Sequence, residues 1–173
     1  MVADRLSSVR WADGAFPPRP VIRRVEEGMS DMFSGPIDDR LSIRERFDSY
    51  SDAVTRCALD DYLDCWAEDG VRLGEGGEAR GTEGLRAHWN GIWKVLSQMV
   101  FVTQIGAIEV DGDRASARSY CLETLRFRDG SVHQLIGTYE DRLRRADGVW
   151  RFSERRYRVL VDNTHSPGAG ARR

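Results

Sequence analysis

Cysteine and histidine are scarce in this chain of 173 residues, with three of each. Cys57, Cys65 and Cys121 are an odd number and form no CxxC pair. That excludes a disulfide framework and points to a reducing, cytoplasmic setting. His88, His133 and His165 form no HxH or HxxxH spacing. No metal ligand set follows from them, so a metal site is not expected. Charge of one sign is also missing: 26 Lys+Arg stand against 28 Asp+Glu, a net charge of −2. Nothing in that balance draws nucleic-acid phosphates. No apolar run approaches the ~20 residues that a membrane helix needs. Met1–Arg10 lacks the apolar stretch of a secretory signal. Lysine occurs once, at Lys94, so nearly all positive charge is arginine.

What is present is an ordinary globular balance, 40% hydrophobic and 31% charged, at a length that suits one domain. Residues 1–38 hold four of the five prolines and little periodicity. They read as an N-terminal arm, in which Val21–Phe33 has the composition of a short docking helix. Residues 39–162 carry the periodic patterns of a domain. Residues 163–173, rich in Gly, Ser, Pro and Arg, read as a frayed tail.

Ile43, Phe47, Tyr50, Val54 and Cys57 recur at spacings of four and three, one face of an amphipathic helix. Leu59, Tyr62, Leu63 and Trp66 mark a second, short helix, with Asp60 as its expected cap and Gly70 as its stop. Val71–Leu73 is a short strand candidate. Gly74–Gly77 lacks the Lys-Ser/Thr ending of a phosphate loop. A third helix is expected over 82–98, burying Leu85, Trp89, Ile92, Leu96 and Met99. The period then becomes alternating. Four strands are expected at about 100–110, 114–128, 132–144 and 149–161, broken at Asp111-Gly112, Asp129-Gly130 and Asp147-Gly148. Three helices followed by a meander predict an α+β architecture.

The alternation assigns faces. Ala115, Ala117, Ser119, Cys121, Glu123 and Leu125 share the small-residue face that suits packed helices. A two-residue turn at Asp129-Gly130 would pair Arg128 with Ser131 and bury Glu140 and Arg142. A three-residue turn with a glycine bulge pairs Phe127 with Ser131, Arg118 with Glu140, and Ser119 with Tyr139. The second register is preferred, because it avoids that buried charge and makes a cross-strand ion pair. It sets His133 opposite Leu125 and diagonal to Glu123. The inner face then collects Glu123, His133, Tyr139 and Ser119. Tyr50 points to the same space, and Gln104 joins on a face shared with Val100, Val102, Ile108 and Val110. Trp89, Trp93, Phe101 and Leu135 complete the expected lining of a small-molecule pocket.

The segments "YLDCWAEDGV" (62–71), "GTEGLRAHW" (81–89), "VDGDRASARSY" (110–120), "GTYEDRL" (137–143) and "GVWRFSERRY" (148–157) follow the Tyr50 helix in order. In that order the chain resembles the nuclear transport factor 2-like superfamily, in its SnoaL-like branch, over about Ile43–Val161. The resemblance implies a cone-shaped curved sheet wrapped around the three N-terminal helices and enclosing a pocket. It implies chemistry without metal or organic cofactor, and a homodimer through the outer sheet face. Family enzymes include dehydratases, ketosteroid-type isomerases, polyketide cyclases and epoxide hydrolases. The resemblance also extends to small subunits of aromatic-ring dioxygenases and to binding modules. Members similar to scytalone dehydratase carry Tyr and Asp on the first helix and His on the strands. Tyr50 matches the tyrosine, Thr55 stands at the aspartate position, and Val100 or Phe101 stands at the histidine position.

Two functional classes therefore stand. The first is a cofactor-independent isomerase, dehydratase or cyclase acting on an apolar oxygenated molecule such as a polyketide, terpenoid or steroid. In it Glu123 and His133 move the proton, while Tyr50 or Tyr139 holds the enolate oxygen. The second is a non-catalytic binding or assembly module, in which Glu123 is structural and pairs with an arginine such as Arg155. His88 reads as a rim or core residue and His165 as inert. The cysteines read as small core residues.

Overall fold

The computed structural model describes residues 32–74 and 76–165. Residues 21–31 of the expected Val21–Phe33 helix, most of the 1–38 arm and residues 166–173 of the tail lie outside them, while Phe33 is in a strand, residues 37–38 begin a helix and residues 163–165 end a strand. Ten elements follow in order: β1 Phe33–Ser34, α1 Ile37–Arg56, α2 Leu59–Asp64, β2 Trp66–Gly74, β3 Gly77–Arg80, α3 Gly81–Val95, β4 Leu96–Asp111, β5 Arg114–Phe127, β6 Val132–Ala146 and β7 Val149–His165. The seven strands form one sheet in the order β1-β4-β5-β6-β7-β2-β3. β1 runs parallel to β4 and β2 parallel to β7, while the other pairs are antiparallel. The fold is α+β, with an open mixed sheet and the helices against its inner face. No described helix is long and apolar enough to cross a membrane.

Helix α1 buries Ile43, Phe47, Tyr50, Ala53 and Val54 as its stripe. Asp38 and Asp39 in its first turn complement the positive end of the helix dipole. Cys57 is not part of the buried stripe. It is exposed and ends the helix in the left-handed conformation, φ 57°. Helix α2 starts after Ala58, so Asp60 lies in its first turn rather than at its cap. Gly70 stops no helix, because the chain is already extended from Trp66 onward. Helix α3 ends at Val95, three residues before the expected end. Leu96 is extended, and Leu96 and Met99 reach the core from β4. The run Val100–Thr103 favours the pleated backbone because of its β-branched and aromatic side chains.

The meander follows the Asp-Gly punctuation. Asp147 and Gly148 both have positive φ, as a two-residue type I′ turn requires. At Asp129-Gly130 the Phe127 N–H donates to the Ser131 carbonyl at 2.9 Å, and Gly130 has φ 89°. This is the three-residue turn. It sets Ser119 opposite Tyr139, Arg118 opposite Glu140 and Leu125 opposite His133. The same register buries Asp141, which lies two residues beyond Tyr139 on the inner face. In β4 the register shifts between Ile105 and Ala107. This bulge at Gly106 reverses the faces, because one extra residue breaks the two-residue period. Ile108 is buried, while Val100, Val102 and Gln104 are exposed on the outer face.

Candidate active site

The inner face and the three helices enclose a cavity of about 50 Å³. Each element supplies part of its wall. Tyr50 and Val54 come from α1, Tyr62 from α2, and Arg72 from β2. His88, Trp89, Ile92 and Trp93 come from successive turns of α3. The strands add Met99 and Phe101 from β4, Glu123 from β5 and Tyr139 from β6. Three tyrosines, two tryptophans and a phenylalanine thus surround one carboxylate, one imidazole and one guanidinium.

Glu123 is 9% exposed, and its Oε1 accepts a hydrogen bond from the Cys121 thiol at 3.3 Å. The two share a face because they are two residues apart on one strand. Burial pushes the Glu123 carboxyl above its ordinary range, against the pull of Arg72 and Arg155. Glu123 makes no ion pair among the described residues. The Tyr157 hydroxyl lies near this carboxylate, yet it is buried with no hydrogen bond of acceptable geometry. Tyr50 sits at the centre of the aromatic wall, with ring centroids 5.3 Å from Tyr62 and 5.6 Å from Phe101. Burial raises the Tyr50 and Tyr139 phenols, so both keep their protons at neutral pH.

Beneath the cavity, Asp141 and Arg155 form an ion pair at 2.8 Å with no side-chain exposure. The Arg155 guanidinium carbon lies 4.2 Å from the centroids of the Tyr50, Tyr139 and Phe152 rings. Arg155 therefore neither pairs with Glu123 nor faces solvent. It holds Tyr50 and Tyr139 from behind.

Of the residues expected from the sequence, Glu123, Tyr50, Tyr139, Trp89, Trp93 and Phe101 meet at the cavity. Four are placed elsewhere. His133 packs its ring on Phe127, with centroids 4.6 Å apart, near the far end of the sheet. Its diagonal register to Glu123 holds, but its side chain is not part of the wall. Gln104 is turned outward by the Gly106 bulge and pairs with Tyr120. Ser119 is fully buried on the Asp141 side of the sheet. Leu135, opposite Glu123, is half-buried and outside the wall. Thr55 does not reach the cavity either. Its hydroxyl accepts from the Phe101 N–H at 3.2 Å and so clips α1 to β4.

Sequence reasoning did not bring Arg72 or Tyr62 to the cavity, while His88 stands in its wall as a rim residue. The α3 stripe held the signal for His88, since His88, Trp89 and Ile92 lie within one turn. No local pattern marks Arg72. Burial, and then the Arg72 charge, hold the His88 imidazole down at about 4, so it is neutral at pH 7. Its Nε2 is buried without a hydrogen-bond partner. No group of three or more metal-ligating side chains occurs among the described residues.

Comparison with known proteins agrees with this architecture. A protein of unknown function from Mycobacterium tuberculosis is 30% identical, covering 72% of this chain and 76% of its own, with a TM-score of 0.64. A protein from Novosphingobium aromaticivorans, described as a candidate aromatic ring hydroxylase, is 25% identical over 76% of this chain and 96% of its own, with a TM-score of 0.71. Hexachlorocyclohexane dehydrochlorinase LinA-type3 from Novosphingobium barchaimii shares the fold at 18% identity, over 79% and 96% of the two chains, with a TM-score of 0.69. No curated protein matches the sequence significantly. The family described as the SnoaL-like domain matches residues 36–156, which span both walls of the cavity, and the chain belongs to that family.

Proposed function

We propose that this protein is a cofactor-independent enzyme that transfers a proton on a compact, apolar, oxygenated molecule. The observation that carries the reading is Glu123. It is a buried carboxyl with a raised pKa, set in the wall of an aromatic cavity and free of an ion-pair partner among the described residues. Such a group takes a proton from carbon next to a carbonyl and returns it elsewhere. Tyr50 and Tyr139 donate to the oxygen that gains charge. Isomerisation, dehydration and ring closure all begin this way. His133 has no part in this version, since its ring is held on Phe127.

A cavity of about 50 Å³ holds a few waters at most. Typical ligand pockets start at roughly 300 Å³. Substrate entry therefore needs the α3 wall to move outward where His88, Ile92 and Trp93 are half-buried. Within the apolar oxygenated class, this favours a one- or two-ring ketone or phenol over a four-ring steroid. The test is carbon-bound hydrogen exchange in heavy water, followed by proton NMR over a panel of cyclic ketones and hydroxyketones. Exchange that disappears in a folded Glu123→Gln variant supports the reading. Equal exchange by the variant, or none by the wild type, overturns it.

The outer face supports a second element of the reading, pairing with another copy of this chain. Val102, Leu122, Ile136 and Val161 stand in one cross-strand row over β4, β5, β6 and β7, each at least 39% exposed. Exposed apolar rows of this kind mark interaction surfaces. Light scattering on wild type and Leu122→Glu checks it: a dimer that the substitution dissociates is expected, and a monomeric wild type refutes it. A dioxygenase-type assembly role remains the alternative for the same row. Co-purification with a larger oxygenase subunit would favour that role. The free thiols of Cys57, Cys65 and Cys121 suit a reducing, cytoplasmic setting.

A further inference from the structure

The charged end of the cavity carries more than proton transfer requires. Arg72 projects from β2 into the wall, half-buried, and forms no ion pair among the described residues. Several interior arginines do have acids, while Arg40 and Arg86, half-buried without an ion pair among the described residues, lie outside the cavity wall. Arg155 has Asp141, Arg46 has Asp64, and Arg145 has Asp39 and Asp113. A guanidinium withdrawn from water without a carboxylate is unfavourable, and a planar bidentate anion is its best partner. The wall around it is aromatic, with its nearest ring that of Tyr157, 5.8 Å from the guanidinium carbon to the centroid. Arg72 lines the same cavity as Tyr50, Tyr62, Tyr139, His88 and Glu123. Beside it, the buried His88 Nε2 has no hydrogen-bond partner. An orphaned buried nitrogen in a cavity wall wants a ligand atom.

We infer that Arg72 and His88 bind the carboxylate of the substrate, so that the substrate class is a small aromatic or alicyclic acid. Arg72 donates in bidentate fashion. His88, in the tautomer with its proton on Nε2, donates to one of the same oxygens. The Arg72 and His88 donors then converge on one anion, and the rest of the wall accepts an apolar ring. The inference rests on the catalytic cavity proposed above and names what that cavity recognises. Arg72 and His88 act in binding, while the proton moves on Glu123.

Isothermal titration of the purified full chain with benzoate and with uncharged benzamide tests it. Wild type is expected to bind benzoate at least tenfold more tightly. Arg72→Met should abolish that preference, and His88→Leu should weaken benzoate several-fold. Wild-type protein needs no substitution for the second measurement, in which benzoate shifts the His88 Nε2 resonance in nitrogen-15 NMR. Equal binding of the two probes, no binding of either, or a His88 resonance unmoved by benzoate would overturn the inference. Glu123→Gln separates the two readings. It should keep the benzoate preference and lose exchange activity. Retained activity in that variant sinks the catalytic reading, whereas loss of the benzoate preference in it overturns the inference.

Discussion

The Asp141 carboxylate and the Arg155 guanidinium meet at 2.8 Å and 3.2 Å, bidentate, with neither side chain exposed. Their strands are neighbours and the two residues stand directly opposite in register. Rings of Phe47, Tyr50, Tyr139 and Phe152 surround the cation, which compensates for the Arg155 Nη1 that has no hydrogen-bond partner. The pair therefore fixes two of the cavity tyrosines from behind.

Removing one member leaves the other charged and buried. Asp141→Asn should cost about 3–5 kcal/mol of stability. The double change Asp141→Leu with Arg155→Met should cost less than the single one. Urea unfolding of the three proteins checks both statements. A single variant as stable as wild type would show that the pair does not hold the core.

Gly137 makes room for Tyr157. A Cβ at position 137 would overlap the Tyr157 ring and come within 2.9 Å of its hydroxyl oxygen. Gly137→Ala should therefore destabilise by about 1–3 kcal/mol, the usual cost of overpacking. Tyr157→Leu should restore part of the loss in the same background. Thermal melts of the single and double variants decide it.

His88 gives the fold a specific acid sensitivity. Its imidazole is held at about 4, against an ordinary 6.5. The folded state thus binds this proton more weakly than the unfolded chain does. Stability from this group is intact above pH 6.5 and is lost as pH falls towards 4. Solvent reaches the half-buried ring, so the loss is on the order of 1–2 kcal/mol. His88→Leu should flatten the fall in denaturation midpoint over that window. An unchanged profile would contradict it.

Glu123 acts with the opposite sign. Its folded pKa is raised by burial, so the folded state holds the proton more tightly. Its favourable contribution is present below the ordinary value of 4.5 and is lost as pH rises through the raised one. Glu123→Gln should therefore be more stable than wild type at pH 8, with the difference vanishing near pH 4. Denaturant midpoints at the two pH values measure it. The same substitution should remove activity, which is the expected exchange of function for stability at a catalytic residue.

Tyr50 and Tyr139 can be separated by their hydroxyls alone. Each Tyr→Phe change keeps the ring around Arg155 and removes one donor to the developing oxyanion. The residue that holds that oxygen should lose roughly 100-fold in turnover, and the other much less. Both variants should melt close to wild type. Steady-state rates on the substrate found by exchange would assign the role.

Much of this architecture was legible in the sequence. The 3–4 spacing of Ile43, Phe47, Tyr50 and Val54 gave α1, and three Asp-Gly pairs placed the strand breaks. The choice between turn types at Asp129-Gly130 followed from keeping Glu140 and Arg142 out of the core and from an expected Arg118–Glu140 pair; the register of β5 against β6 is the one that choice requires, though those two side chains form no ion pair among the described residues. It left Asp141 on the inner face without revealing its partner. That partner depends on β7, whose pairing with β6 is shifted at two places.

What the sequence determined by itself was what repeats locally: helix faces, strand alternation and turns, because these obey periods of 3.6 and 2 within a few residues. It also placed Glu123, Tyr50 and Tyr139 on inward faces. The tertiary structure decided the rest. One extra residue at Gly106 turned Gln104 outward. Packing on Phe127 drew His133 away from Glu123. The parallel pairing of β2 with β7 brought Arg72 beside the cavity, and α3 laid His88 against it. Such meetings join residues far apart in the chain, and no local period encodes them.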